Sequence, residues 1–208
     1  MRVAKEGWPF IAIFWAVLAL FWWLQWTIAF WAWVPVAIWV IAFFRDPVRE
    51  GERGPNVAIA PADGKVVSIV DVDEPTYVGG RARRVAIFMN VFDVHVNRYP
   101  MDGAIEHRHY NAGQFGHAAE DKASDVNEQC SIGLKTGRGK VLVRQIAGLV
   151  ARRIITDHHP GTAVTQGARM GLIRFGSRVD IFLPLDATVT VRVGDRTQAG
   201  RSVIARWS

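Results

Sequence analysis

The sequence of 208 residues contains a single cysteine, Cys130, so no intrachain disulfide forms and no cysteine cluster binds a metal. A reducing compartment is the simpler interpretation. The chain also lacks a Walker loop, a dinucleotide fingerprint, an H-E-x-x-H zinc motif and a G-x-S-x-G nucleophile elbow. His158 and His159 are adjacent, and neighbouring side chains on a strand point to opposite faces, so they make a poor chelate. We therefore expect no metal site.

Charge is missing from one long stretch. No charged residue occurs between Gly7 and Phe44, and these 38 residues contain eight of the nine tryptophans. One straight helix of that length would measure about 57 Å, whereas about 20 residues cross a bilayer. We predict two helices, over about residues 8 to 23 and 27 to 44, with a turn near Gln25.

Positive charge flanks both ends of this stretch, with Arg2 and Lys5 before it and Arg45 and Arg49 after it. Basic residues beside an apolar segment mark its cytoplasmic end. Both ends of this stretch are then cytoplasmic, as they are in a helical hairpin. The sequence thus predicts a membrane-anchoring helical hairpin over residues 1–44, in the cell inner membrane, with the rest of the chain on the cytoplasmic side. One crossing plus one interfacial helix is the runner-up, and a buried pair of soluble helices is the third interpretation.

Residues 45–208 have the pattern of a β-rich domain. A polar linker with Pro and Gly, residues 45–55, is followed by short runs of β-branched and apolar residues separated by turn signals. We predict a mainly β fold, an antiparallel β-rich sandwich or barrel. The strands are expected at residues 57–60, 65–70, 85–89, 131–134, 141–146, 154–156, 179–184 and 188–193. Residues 106–122 are predicted to form a loop or lid, and only residues 149–154 suggest a short helix.

A Gly-Ser pair, Gly176 and Ser177, lies between two short apolar runs. Most such pairs are turns. A serine that attacks a carbonyl needs a base, and the base needs an orienting carboxylate. His95 in a strand-like segment and Asp63 in a turn are of the right types, but most chains of this size contain such residues. The residues alone leave the choice between a turn and a reactive serine open.

Four stretches, in this order along the chain, carry a resemblance to a known family. They are residues 61–64 (Pro-Ala-Asp-Gly), 92–100 (Phe-Asp-Val-His-Val-Asn-Arg-Tyr-Pro), 127–128 (Asn-Glu) and 171–177 (Gly-Leu-Ile-Arg-Phe-Gly-Ser). Together with the apolar leader, they resemble the short, membrane-anchored class of phosphatidylserine decarboxylase proenzymes. The resemblance covers the chain from the apolar leader to its last residue.

The resemblance implies a chain that cuts itself between Gly176 and Ser177, into a β chain of residues 1–176 and an α chain of residues 177–208. Ser177 would become a covalent pyruvoyl group, with His95 as base and Asp63 as its orienting carboxylate. The pyruvoyl ketone would form a Schiff base with the amine of phosphatidylserine and accept electrons as CO2 leaves, the role that pyridoxal phosphate has elsewhere. The products would be phosphatidylethanolamine and CO2.

The sequence departs from the long form of the family at two positions. Arg178 follows the reactive serine where the long form has threonine, and Arg98 occupies the position of a second histidine. His95 is then the candidate that protonates the carbanion. Arg98 either binds the substrate carboxylate or phosphate or forms a surface ion pair. Asp93 is an alternative orienting group for His95.

Two other functions fit the same residues. One is a pyruvoyl decarboxylase for a soluble amino acid, against which the apolar stretch argues. The other is a non-catalytic, membrane-tethered β domain that binds lipid or protein. The net charge of +6 suits an anionic partner. We expect phosphatidylserine, an anionic membrane surface and the chain's own cleaved pieces as partners, and no nucleic acid, with homo-oligomerisation left open.

Overall fold

A computed structural model describes residues 2–113, 127–148, 153–174 and 176–208. The chain forms two compact units, Met1–Val48 and Arg49–Ser208.

The first unit is a helical hairpin. A short 3-10 helix, Lys5–Gly7, leads into α1 (Trp8–Trp23), and α2 (Thr27–Phe43) follows after a tight turn. Gln25 in that turn has a φ of 57°. Strands β1 (Arg2–Val3) and β2 (Arg45–Asp46) pair at the open end. The predicted pair of helices and the position of their turn are confirmed.

The two helices of the first unit pack through aromatic side chains. The rings of Phe14 and Trp33 stack with centroids 5.3 Å apart, and Nε1 of Trp33 donates a hydrogen bond to the carbonyl of Phe14 at 3.0 Å. Among the described residues, one helical stretch, Lys5–Trp23, is long and apolar enough to cross a membrane, and Thr27–Phe43 is shorter. Large side chains on the hairpin surface remain exposed, including Trp22 at 67% and Trp31 at 66%.

The second unit is built from antiparallel strands, which confirms the mainly β prediction. Its main sheet has eight strands in the order β11-β7-β8-β9-β13-β5-β4-β15 and curls into a half-barrel. Two three-stranded sheets, β10-β12-β6 and β14-β16-β3, accompany it. The strands are β3 (Val57–Ile59), β4 (Gly64–Glu74), β5 (Gly80–Met89), β6 (Val96–Arg98), β7 (Gly103–Asn111), β8 (Gln129–Thr136), β9 (Gly139–Ala147), β10 (Ile154–Thr156), β11 (Ala163–Val164), β12 (Arg169–Ile173), β13 (Ser177–Leu183), β14 (Thr188–Val189), β15 (Arg196–Thr197) and β16 (Val203–Arg206).

The core lies on one face of the main sheet, where alternate residues of the central strands point inward. Ile87 of β5, Val143 of β9 and Ile181 of β13 are fully buried there, together with residues of the smaller sheets. The opposite face carries a second apolar cluster around Phe182 and Tyr77. Apolar side chains therefore occur on both faces of the central strands, which explains the nearly continuous apolar runs in their sequences.

Several expectations from the sequence were wrong in extent. Strand β7 continues to Asn111, so the first part of the predicted loop over residues 106–122 is strand. Its backbone pairs with β8 as far as Asn111, although no residue of the strand after Ile105 is buried. Strand β14 ends at Val189 rather than at residue 193. The linker begins with the two residues of β2. Residues 114–122 of the loop and 149–152 of the suggested helix lie outside the described residues, and Ile154 begins β10.

Candidate active site

Ser177 is the first residue of β13, and its side chain is fully buried. It pairs with Met89 of β5 on one side and with Ala147 of β9 on the other. Because side chains alternate along a strand, Ser177 faces the same side as Val179 and Ile181 of the apolar core. Its hydroxyl donates to Sδ of Met89 at 3.4 Å. The serine of the Gly-Ser pair thus lies inside the protein and not in a surface turn.

Gly176 occupies a junction between two sheets. Its φ is +47°, in the left-handed region that favours glycine, and an added Cβ would meet no atom of the described residues within 4 Å. Backbone conformation, and not space, therefore favours glycine here. Strand β12 of a three-stranded sheet ends at Ile173, and β13 of the main sheet begins at Ser177. A cut between Gly176 and Ser177 would separate two strands without interrupting either.

His95 is fully buried immediately before β6. Its Nδ1 lies 2.9 Å from the main-chain carbonyl of Asp93. Since a carbonyl oxygen only accepts, Nδ1 carries the proton, and in the neutral ring the lone pair is on Nε2. That tautomer is the one in which Nε2 is the basic atom. The geometry is therefore compatible with His95 as a general base.

Two contacts hold the segment of His95 close to Ser177. The main-chain carbonyl of His95 accepts a hydrogen bond from the N–H of Ile173 at 3.3 Å, four residues before the serine. Two residues after His95, Nδ2 of Asn97 donates to Sδ of Met89 at 3.7 Å, the same sulfur that Ser177 contacts. The 92–100 and 171–177 stretches, which are far apart in the sequence, thus form one site.

Asp63 is buried in the turn before β4, and both of its carboxylate oxygens have partners other than His95. Oδ2 accepts from Arg49 at 2.7 Å, and Oδ1 accepts from the N–H of Ala199 at 2.7 Å. Burial raises the pKa of Asp63, against the opposing effects of the Ala199 N–H and the Arg49 guanidinium. Asp63 is also close enough to Asp93 for their charges to interact. Its role as orienting carboxylate stays a prediction.

Asp93 orients His95 through its main chain and not through its carboxylate. The carboxylate accepts from the N–H of Asn90 at 2.9 Å and forms an ion pair with Arg196. The contact with Asn90 closes the turn that joins β5 to β6, and the ion pair ties this turn to β15. The turn places the carbonyl of Asp93 against the imidazole. The role predicted for the Asp93 side chain as an orienting group stays a prediction.

Asn127 and Glu128 support the strand beside the serine. Nδ2 of Asn127 donates to the carbonyl of Ala147 at 2.8 Å, and the N–H of Ala147 donates to the carbonyl of Glu128 at 2.9 Å. Ala147 is the residue of β9 that pairs with Ser177. The carboxylate of Glu128 accepts from the hydroxyl of Tyr110 at 3.0 Å. The sequence assigned this pair no role beyond shaping the site. In the structure both residues hold the end of β9 through Ala147.

Arg178 and Asp180 lie on the face of β13 opposite to Ser177, and both are fully buried. The guanidinium of Arg178 binds the carboxylate of Asp180 through two contacts, at 2.6 and 2.8 Å. Nε of Arg84 is 4.0 Å from the same carboxylate. Arg98 donates to the carbonyl of Gly167 at 3.1 Å. The choice between substrate contact and ion pair for Arg98 stays open.

The prosthetic group implied by the resemblance would be made from Ser177 itself, and the site suits it. The side chain is fully buried, and its hydroxyl touches a thioether on the core face of the sheet. Such surroundings keep water from a reactive carbonyl. Within residues 2–113, 127–148, 153–174 and 176–208, no group of three or more His, Cys, Asp or Glu side chains is arranged to hold a metal ion.

Sequence reasoning missed Met89 and Gln145. Met89 is the last residue of a predicted apolar strand, residues 85–89, and was given no role in the site. Gln145 interrupts the apolar run of β9 at a position that faces inward with Val143, and it is fully buried. A polar residue at an inward position of a strand was the available signal, since buried polar groups require partners.

Comparison with known proteins assigns the chain to a family. The family model described as phosphatidylserine decarboxylase matches residues 36–205. The phosphatidylserine decarboxylase proenzyme of Symbiobacterium thermophilum is 46% identical over 207 residues, which are 98% of this chain and 95% of the relative. The proenzyme of Nitrosomonas europaea is 44% identical over 209 residues, 99% of this chain and 95% of the relative. The proenzyme of Magnetococcus marinus is 45% identical over 207 residues, which are 98% of this chain and 94% of the relative. The chain belongs to the phosphatidylserine decarboxylase family.

Proposed function

We propose that this protein converts phosphatidylserine to phosphatidylethanolamine and CO2, using a pyruvoyl group that it makes by cutting itself before Ser177. Relatives that match the chain from end to end carry the name of this proenzyme. The observation that carries the proposal is the position of Ser177, buried at the first residue of a central strand and preceded by a glycine with positive φ.

The cut begins with the hydroxyl of Ser177. His95 takes the hydroxyl proton as Oγ attacks the carbonyl carbon of Gly176, the peptide C–N bond breaks, and an ester and a free amine result. A base then removes the Cα proton of Ser177, and the Cβ–Oγ bond breaks. Oγ leaves as part of the new carboxylate of Gly176, and dehydroalanine remains. Addition of water and loss of ammonia leave a ketone at the start of the α chain.

The two pieces stay together because strands of the α chain pair with strands of the β chain. Strand β13 lies between β5 and β9, β15 pairs with β4, and β16 pairs with β3. All seven strands named here belong to hydrogen-bonded pairs across the proposed cut. These pairs form over long sequence separations, so a single broken peptide bond removes none of them.

The chemistry that a pyruvoyl group supplies is an electron-accepting ketone for the carbanion formed when CO2 leaves. The contribution of the chain is to keep this end of β13 buried and to hold an imidazole beside it. The tautomer of His95 set by the Asp93 carbonyl makes Nε2 the atom that exchanges protons. Asp63 is proposed, on the resemblance, to orient His95, for which its carboxylate would exchange a contact with Arg49 or Ala199.

The helical hairpin is proposed to anchor the enzyme at its lipid substrate. It exposes several large apolar side chains, among them Trp23 at 71% and Ile28 at 88%, and contiguous exposed apolar surface marks a membrane contact. A buried pair of soluble helices would not leave such side chains exposed. The basic flanks Arg2, Lys5 and Arg45 favour the cytoplasmic side. The catalytic domain would then work at the cytoplasmic face of the inner membrane.

Intact-mass measurement of the purified chain tests the proposal. We expect residues 1–176 with an ordinary carboxyl end and residues 177–208 blocked by a pyruvoyl group. Cleavage in the presence of hydroxylamine traps the ester and yields an α chain that begins with unmodified serine. The variant Ser177→Ala should remain one full-length, inactive chain.

Product analysis separates the alternatives. Release of phosphatidylethanolamine from phosphatidylserine vesicles supports the proposal, whereas decarboxylation of a free amino acid but not of the lipid contradicts the lipid substrate. A wild-type chain that stays uncut, or a Ser177→Ala variant with normal activity, contradicts the mechanism. An uncut chain that still binds lipid vesicles supports the non-catalytic alternative.

A further inference from the structure

Four buried side chains form a continuous series of contacts behind the reactive serine. The hydroxyl of Ser177 donates to Sδ of Met89 at 3.4 Å. Nδ2 of Asn97 donates to the same sulfur at 3.7 Å, and Nε2 of Gln145 donates to Oδ1 of Asn97 at 2.7 Å. All four residues are fully buried, so no solvent competes for these contacts. We call this series the amide–thioether chain.

The fold brings the amide–thioether chain together from four strands. Met89 on β5 pairs directly with Ser177 on β13, and Gln145 on β9 pairs with Val179, one inward position further along. Asn97 comes from β6, in a different sheet. Asn97 therefore connects two strands that lie on either side of β13.

The direction of the amides is set at Gln145. Because its Nε2 donates to Oδ1 of Asn97, the Nδ2 of Asn97 points to Met89. Oε1 of Gln145 is then buried with no hydrogen-bond partner in the part of the chain that the structure describes. An unsatisfied buried acceptor lowers stability. Stability therefore does not explain why Gln145 is buried here. Its contact with Asn97 does, because it orients Asn97 and, through Asn97, the Met89 thioether.

We propose that Met89 holds the hydroxyl of Ser177 in place for self-cleavage, and that Asn97 and Gln145 are positioning residues that fix the Met89 thioether. This inference rests on the proposed function. A thioether is a weak acceptor, so it orients the hydroxyl without competing strongly with a base for the proton.

A thioether also suits the site after cleavage. In the proposed reaction Oγ leaves with the β chain, and Cβ of Ser177 becomes a methyl carbon. A carbonyl or carboxylate acceptor would lose its donor at that point and remain unsatisfied in a buried site. The sulfur of Met89 is apolar enough to pack against a methyl group, so it serves both states of the protein.

The rate of self-cleavage tests the proposal without any measurement of decarboxylation. The full chain is synthesised in a cell-free system with detergent, and the appearance of residues 177–208 is followed by intact mass. Met89→Leu keeps the volume but removes the acceptor, and such swaps are well tolerated in cores. We expect cleavage to slow by roughly three- to tenfold, the effect of losing one hydrogen bond. Cleavage at the wild-type rate or faster overturns the proposal.

The matched control is Ile87→Leu. Ile87 lies on β5, faces the same core and is fully buried, but it pairs with Val179 and not with Ser177. This variant should cleave at the wild-type rate. If it slows cleavage as much as Met89→Leu, the effect comes from core packing and the proposal fails.

The positioning role of the amides is tested by non-additivity. Gln145→Leu removes one unsatisfied acceptor, Oε1, and creates another at Oδ1 of Asn97, so the unfolding midpoint should change little. Cleavage should nevertheless slow in this variant, and the double variant with Met89→Leu should be no slower than Met89→Leu alone. If the two effects multiply, or if the rates follow the unfolding midpoints, Gln145 has only a structural role.

The wild-type chain, measured beside each variant, distinguishes a failure of this inference from a failure of the proposed function. An uncut wild-type chain contradicts the proposed function. A wild-type chain that cuts normally while Met89→Leu cuts at the same rate contradicts only the role of the amide–thioether chain.

Discussion

The buried ion pair between Arg178 and Asp180 offers a quantitative prediction for the stability of β13. Breaking a buried pair by removing one partner costs about 3–5 kcal/mol, because the other charge remains buried without compensation. Here Nε of Arg84 is still 4.0 Å from the Asp180 carboxylate and partly compensates it. We therefore expect Arg178→Met to lower the free energy of unfolding by about 3 kcal/mol, the lower end of that range.

The loss should depend on pH. Burial raises the pKa of Asp180, against the opposing effect of Arg178, and removing the arginine removes that opposition. A carboxyl group whose pKa is higher in the folded state than in the unfolded state favours folding at low pH and loses that contribution as pH rises. The destabilisation by Arg178→Met should therefore shrink as pH falls from neutrality, when Asp180 takes up a proton.

The assay is urea unfolding followed by circular dichroism of the strands, in mild detergent. All variants carry Ser177→Ala, so that each unfolds as one uncut chain. The double variant Arg178→Met/Asp180→Leu serves as the control, because it removes the buried carboxylate together with its partner, and it should be more stable than Arg178→Met alone. A loss below about 1 kcal/mol in the single variant, or a double variant that is less stable still, would refute the reasoning.

Three further predictions concern stability elsewhere in the second unit. Gly171→Ala should unfold at a much lower urea concentration, because its Cβ would lie 2.0 Å from the carbonyl oxygen of Ile155, whereas Gly137→Ala, with nothing within 4 Å, should not. Burial raises the pKa of Glu74, but hydrogen bonds to its carboxylate outweigh burial and hold that pKa below its usual value. The wild type therefore loses stability as pH falls, and Glu74→Gln should lose less stability over the same pH range. The raised pKa of Asp63 has the opposite effect, because it makes the wild type lose stability as pH rises through the acidic range. Asp63→Asn should remove this dependence of stability on pH. Urea midpoints measured across pH test both carboxyl groups, and a slope unchanged from wild type would contradict the assigned partners.

The serine and its partners were accessible from the sequence only in part. The Gly-Ser pair was visible, but the same pattern occurs in surface turns, and only the order of four stretches favoured a reactive serine. The structure adds that Ser177 heads a central strand and that the carbonyl of Asp93, and not a carboxylate, lies at Nδ1 of His95. Main-chain partners of this kind carry no residue signature, so no reading of side-chain types could have found them.

The local features of this protein follow from the sequence alone. The length of the uncharged run predicted two helices with a turn near Gln25, and short runs of β-branched and apolar residues between turn signals predicted eight strands, because both patterns lie within a short segment. Which strands are neighbours depends on the tertiary structure. The contact between Ser177 and Met89 joins residues 88 positions apart, and that between Asn97 and Gln145 joins residues 48 apart. Periodicity shows which face a side chain takes, whereas the partner across that face depends on how the sheets are assembled.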